Sequence, residues 1–271
     1  MNHNQNKTTH CKTENIRGVS ALQALTASNW TGKKFARYLL NVEQDLLRQI
    51  SSQVAGYRLM HLGVASDNCQ LDAFKQLHQF YVRPPCERLL EAHKNYSSSL
   101  EADYDQLPVP NAVVDVAVLQ HALEFSASPQ GVLAEAARVL APGGHLILFV
   151  INPIGPIGLS KIPMRLLSKR PEYLFSSLRK GRIKDWLALL DFQTIEMADN
   201  AFALPFKRLS SFKRDSFWER SCVRFKSPLG NFYMIHAVKR VAGGISKRSR
   251  PWKATPSRGY VSTSKKIKLK K

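Results

Sequence analysis

Residues 113–151 read VVDVAVLQHALEFSASPQGVLAEAARVLAPGGHLILFVI, and this stretch decides the fold. Val113 to Leu119 is an apolar, β-branched run with Asp115 as its one polar member, the pattern of a parallel strand buried on both faces. Ser128-Pro129 opens a helix, because serine offers a capping oxygen and proline brings a preset φ and no N–H to lose. Leu133, Ala136, Ala137 and Leu140 then recur at helical spacing until Pro142-Gly143-Gly144 breaks the pattern. His145–Ile151 follows as a second buried strand. Strand, helix and strand joined by short connections make a βαβ unit, which implies a parallel sheet with right-handed crossovers.

Upstream, Phe35, Leu39, Val42, Leu46, Leu47 and Ile50 predict an amphipathic helix within Asn29–Gln53, terminated by Gly56. Tyr57–Val64 and Leu77–Val82 predict two strands, the second stopped by Pro84-Pro85. Downstream come a Pro/Gly-rich loop (Asn152–Pro163), a basic helical region (Lys161–Lys184), a short helix (Lys184–Leu190), a strand near Phe192–Met197 and a last strand at Asn231–Val241. The expected organisation is a disordered segment over 1–28, one α/β domain over 29–242 with a cap helix at 29–55, and a basic disordered tail over 243–271.

The 271 residues carry a net charge of +20, and its distribution is uneven. Residues 1–160 hold 13 basic and 13 acidic side chains, while residues 161–271 hold 27 basic against 7 acidic. Such asymmetry predicts an anionic partner for residues 161–271, nucleic acid ahead of a membrane surface, although lysines that only keep a tail soluble give the same composition. Cys11, Cys69, Cys86 and Cys222 are scattered, with no CxxC pair or metal-ligand spacing, as in a reduced cytoplasmic protein. The polar N-terminus lacks the apolar core of a secretory signal, and the longest apolar stretch, His145–Leu159, is cut by Pro153, Gly155, Pro156 and Gly158. No transmembrane segment is expected.

Glu101 to Pro110, followed by Val114-Asp115-Val116-Ala117, resembles the acidic loop and fourth strand of type 11 methyltransferases. Leu133-Ala134-Glu135-Ala136-Ala137-Arg138-Val139-Leu140-Ala141-Pro142-Gly143-Gly144 is similar to their L-x-E-x-x-RVLKPGG helix and turn, and Asp185-Trp186-Leu187 through Phe192 to their WL-x-x-LGF element. The resemblance covers roughly residues 30–240, and with the basic extension it points to a proteobacterial group within the family. It implies a Rossmann-like class I S-adenosylmethionine-dependent methyltransferase fold: a seven-stranded, mostly parallel sheet with an antiparallel last strand and helices on both faces. The cofactor, S-adenosyl-L-methionine, would lie across the carboxyl ends of the first strands.

Carried over residue by residue, the family's glycine-rich loop falls on His61-Leu62-Gly63-Val64-Ala65-Ser66-Asp67, where Gly63 keeps its place and Ala65 is still small. The family's acid at the end of the second strand is absent from Tyr81-Val82-Arg83-Pro84. The resemblance implies that Asp103 accepts a hydrogen bond from the adenine amino group, that the Tyr104 backbone meets the ring, and that Gln120 and His121 touch the methionine end. His121 is the candidate general base by position. Asp115 reads as structural, Glu135 and Arg138 as a helical i, i+3 pair, and Asn152-Pro153 as a turn. Two readings stay open: an active methyltransferase of unknown acceptor, with an anionic substrate such as RNA, or a degenerate methyltransferase fold acting as a nucleic-acid or partner binding module.

Overall fold

The computed structural model describes residues 34–63, 71–83, 98–160, 176–202 and 228–240. They build a seven-stranded sheet of order β3-β2-β1-β4-β5-β7-β6. Its strands are β1 (Arg58–Gly63), β2 (His78–Arg83), β3 (Ser98–Glu101), β4 (Val114–Gln120), β5 (Leu140–Ile151), β6 (Phe192–Asn200) and β7 (Phe232–Lys239). All pairings from β3 to β5 are parallel, whereas β7 runs antiparallel to both of its neighbours, β5 and β6. The helices include α1 (Lys34–Ser51), α2 (Ala122–Phe125), α3 (Pro129–Val139) and α4 (Lys180–Leu189), and residues 156–160 of the expected Pro/Gly-rich loop are helical as well. The expected disordered ends and most of the basic region after the Pro/Gly-rich loop lie outside the described residues. No described helix is long and apolar enough to cross a membrane.

The central βαβ unit forms as its residues dictate. Along β4 every residue except Asp115 is buried, as a strand flanked by β1 and β5 requires. Ser128 caps α3 by accepting a hydrogen bond from the Gly131 N–H at 3.3 Å, with Pro129 in the first turn. The Pro-Gly-Gly turn appears as a bulge within β5: Val114 pairs with Leu140 and Val116 already with His145, so residues 141–144 loop out. Asp115 is structural, as expected. Its carboxylate accepts the Tyr57 and Arg58 N–H groups at 2.7 and 2.9 Å, fixing the start of β1 against β4.

β3 and α2 were not legible. Ser98-Ser99-Leu100-Glu101 has no apolar run, because β3 is an edge strand with only β2 beside it. α1 buries Leu39, Val42, Leu47 and Ile50 on one face, the i, i+3, i+4 stripe of an amphipathic helix. The same face buries Glu43 completely, against the cost of desolvating a carboxylate.

β5 and β7 also join through two histidines. His145 Nδ1 and His236 Nε2 lie 3.0 Å apart, with the rings stacked at 5.2 Å between centroids. Burial, helped by His145, lowers the His236 pKa from 6.5 to about 4, and burial lowers His145 as well. Glu196 of β6 is the cross-strand partner of His236. A histidine whose folded pKa lies below its unfolded value stabilises fully above the unfolded value. That contribution is lost as pH falls from about 6.5 toward 4. The thermal midpoint should therefore drop across this window, by the equivalent of about 1–2 kcal/mol after allowance for solvent screening. His236→Asn should flatten this part of the curve; an unchanged slope in the variant would remove the assignment.

Candidate active site

β1, β2 and β4 end side by side, and a crevice outside such carboxyl ends is where open α/β sheets bind ligands. Gly63 closes β1 in the left-handed region at φ +118°, opposite Gln120 in the ladder. A Cβ built on it would stand 1.8 Å from the Gln120 carbonyl oxygen, so only glycine fits. The Gly63 N–H donates to the Tyr104 hydroxyl at 3.2 Å, and its carbonyl accepts from the Tyr81 hydroxyl at 2.8 Å. Two tyrosines, from β2 and from the loop after β3, thus hold the peptide groups at the end of β1.

That second loop is itself clamped onto α3. Glu135 Oε2 accepts the Leu107 N–H at 3.0 Å, and Arg138 donates to Glu135, to the Leu107 and Val109 carbonyls and to Asn111 Oδ1. Pairing with Arg138 holds the Glu135 pKa below the usual carboxylate range. The predicted i, i+3 pair therefore also positions the segment that follows Asp103 and Tyr104. Asn152 behaves as the expected turn residue, its Oδ1 accepting the Ile154 N–H at 3.1 Å.

Just past β4 lies a cluster of charge with no solvent access. His121 sits at φ +55°, unusual for a residue with a side chain, and its ring reaches two carboxylates. Nε2 is 2.8 Å from Glu43 Oε1, and Nδ1 is 2.7 Å from Glu124 Oε1. Gln120 Nε2 donates to Glu43 Oε2, and Gln120 Oε1 is 3.2 Å from His61 Nε2. The Ile151 N–H donates to Glu124 Oε1 at 2.9 Å. Burial alone would lower the His121 pKa, but the two carboxylates outweigh it and raise it to about 10. His121 is therefore an imidazolium at neutral pH with both nitrogens engaged. That state does not suit the general-base role its position suggests.

The structure brings Gly63, Tyr104, Gln120 and His121 to one edge of the sheet, with Asp103 half-buried beside Tyr104. Ala65 lies outside the described residues. β2 ends in Arg83, not in an acid. Sequence reasoning missed Glu43, Glu124 and Tyr81. The available signal for Glu43 was its spacing, four residues from both Leu39 and Leu47 on the apolar stripe of α1.

Residues 63–148 match the family model for a methyltransferase domain. This chain has a class I methyltransferase fold. The matched residues run from the glycine at the end of β1 through the Asp103 loop and β4 to most of β5. An uncharacterized protein of Escherichia coli K12, YafS, is 29% identical over 157 residues, covering 58% of this chain and 61% of that relative. The match thus spans about three-fifths of the relative's length. Among solved structures, a SAM-dependent methyltransferase of Thermotoga maritima superposes with a TM-score of 0.61 at 19% identity, covering 82% of this chain and all of its own. An S-adenosylmethionine-dependent methyltransferase of Mesorhizobium loti gives a TM-score of 0.52 at 16% identity, covering 72% of this chain and 97% of its own. At such identities the likeness concerns the fold.

Proposed function

We propose that this chain is an S-adenosylmethionine-dependent methyltransferase whose cofactor lies over the carboxyl ends of β1 and β4. The observation that carries the reading is the bond from Gly63 N–H to the Tyr104 hydroxyl, which draws the Asp103 loop and the β1 glycine into one crevice. Gly63 gives close backbone approach, Asp103 offers a carboxylate to an adenine amino group, and Gln120 and His121 border the methionine end. When bound, S-adenosylmethionine supplies an electrophilic sulfonium methyl, so the protein mainly has to align an acceptor and exclude water. That demand is met without a proton acceptor at His121.

For the acceptor, the exposed Arg179, Arg182 and Lys184 beside and along α4 support an anionic substrate such as RNA, held through phosphate contacts. A second reading, a binding module that has lost transfer, is favoured by one feature. Both peptide groups of Gly63 are already satisfied by tyrosine hydroxyls, and β2 lacks a terminal acid. Calorimetric titration with S-adenosylmethionine separates the two readings. Micromolar binding is expected for the wild type, with Asp103→Ala weakening it by about tenfold, the loss of one charge-assisted hydrogen bond. No heat from a folded protein would support the binding module.

A further inference from the structure

We propose that the buried Glu43–His121–Glu124 cluster makes the site discriminate by charge at sulfur, holding a sulfonium more tightly than the neutral thioether that remains after transfer. The inference rests on the methyltransferase reading above. Its basis is the composition and the place of the cluster. The three side chains are each at most 1% exposed, and His121 contacts both carboxylates at 2.7–2.8 Å. Two carboxyl groups against one imidazole give the cluster an excess of acid over base that no solvent screens.

Fastening α1 to the end of β4 needs only Glu43 with His121 and Gln120. Glu124 is surplus to that task, and among the described residues its Oε2 has no hydrogen-bond partner. An unmatched carboxylate oxygen in the interior is costly, and a nearby cation offsets that cost. Within the cluster the cation beside Glu124 is His121, and it is shared with Glu43. The cluster begins one residue past Gln120, the ladder partner of Gly63, so its field falls on the edge where the methionine end of the cofactor would lie. When an acceptor lone pair takes the methyl group, the electrons of the broken carbon–sulfur bond stay on sulfur and the ligand loses its positive charge. The same excess of acid over base that attracts the incoming ligand then no longer holds the product.

The test is calorimetric titration of the full chain with three probes at one pH and ionic strength. They are S-adenosylmethionine, sinefungin (an ammonium in place of the sulfonium) and S-adenosylhomocysteine (neutral at sulfur). Both cations are expected to bind about tenfold more tightly than the thioether, the order of effect that one unit charge exerts across a binding site at an effective dielectric near 20. Glu124→Gln and Glu43→Gln should weaken the cations and spare the thioether, reducing the preference to about threefold or less. Because the wild-type ratio is decisive by itself, a variant that fails to fold does not rescue the idea. Wild-type protein that binds the thioether as tightly as both cations overturns the inference and leaves the methyltransferase reading standing. Wild-type protein that binds none of the three overturns both.

Discussion

Gly63→Ala is expected to lose about 3–5 kcal/mol of stability and, with it, binding of S-adenosylmethionine. Two costs combine. The residue sits at φ +118°, where a side chain is strained, and the new methyl would stand 1.8 Å from the Gln120 carbonyl oxygen. Relief requires β1 and β4 to separate at their carboxyl ends, which breaks the Tyr104 and Tyr81 hydrogen bonds on either side of the same residue. A thermal midpoint lower by about 10 °C is the corresponding readout for a domain of this size. Gly181→Ala is the matched control: it lies in α4, a Cβ there meets nothing within 4 Å, and alanine favours the helix. That variant should melt at or slightly above the wild type. Equal melting of the Gly63 variant and wild type would mean the close approach of β1 and β4 is not as described.

Glu43→Ala should be comparably damaging, at about 3–5 kcal/mol, because it removes one partner from a buried pair and strands the rest. His121 would lose one of its two carboxylates, and the Gln120 amide would lose the Glu43 oxygen it donates to. Arg48 on the same helix sets the scale. Its 3.1 Å pair with Asp45 has side chains 55% and 33% exposed, and Arg48→Ala should fall within about 0.5 kcal/mol of wild type. Amide hydrogen exchange along α1 would show where the loss acts, with protection falling in the Glu43 variant alone. If the two alanine variants melt together, the cluster does not fasten α1.

The fold was legible wherever short-range chemistry determines it. Ser128-Pro129 fixes a helix start by capping and ring geometry, and Val113–Leu119 can only be a doubly covered strand. The order of these signals gives the parallel sheet. β3 was not legible because its pairing, not its composition, makes it a strand. The site divides in the same way. Gly63, Asp103, Tyr104, Gln120 and His121 stand in recognisable local contexts, and the structure brings them to one edge. The partners that decide their chemistry come from elsewhere in the chain. Glu43 is 78 residues from His121, and Tyr104 is 41 from Gly63. No local pattern reports such pairs, so a histidine that reads as a base from its position is a locked cation in the fold.

The insertion of β7 between β5 and β6 has a consequence for how the chain assembles. β6 is complete at Asn200, but its neighbour in the sheet is β7, which begins at Phe232. Until that strand is made, β5 has an open edge and β6 has nowhere to dock. Parallel pairing of β1, β2, β3 and β4 can proceed during synthesis, while the last third of the sheet waits for nearly the whole domain. Long-range pairing of this kind slows folding and prolongs exposure of unpaired strand edges. A nascent chain halted between residues 200 and 232 would therefore present sticky, half-built architecture to the cell, and rapid passage through that stretch of translation would favour a clean product.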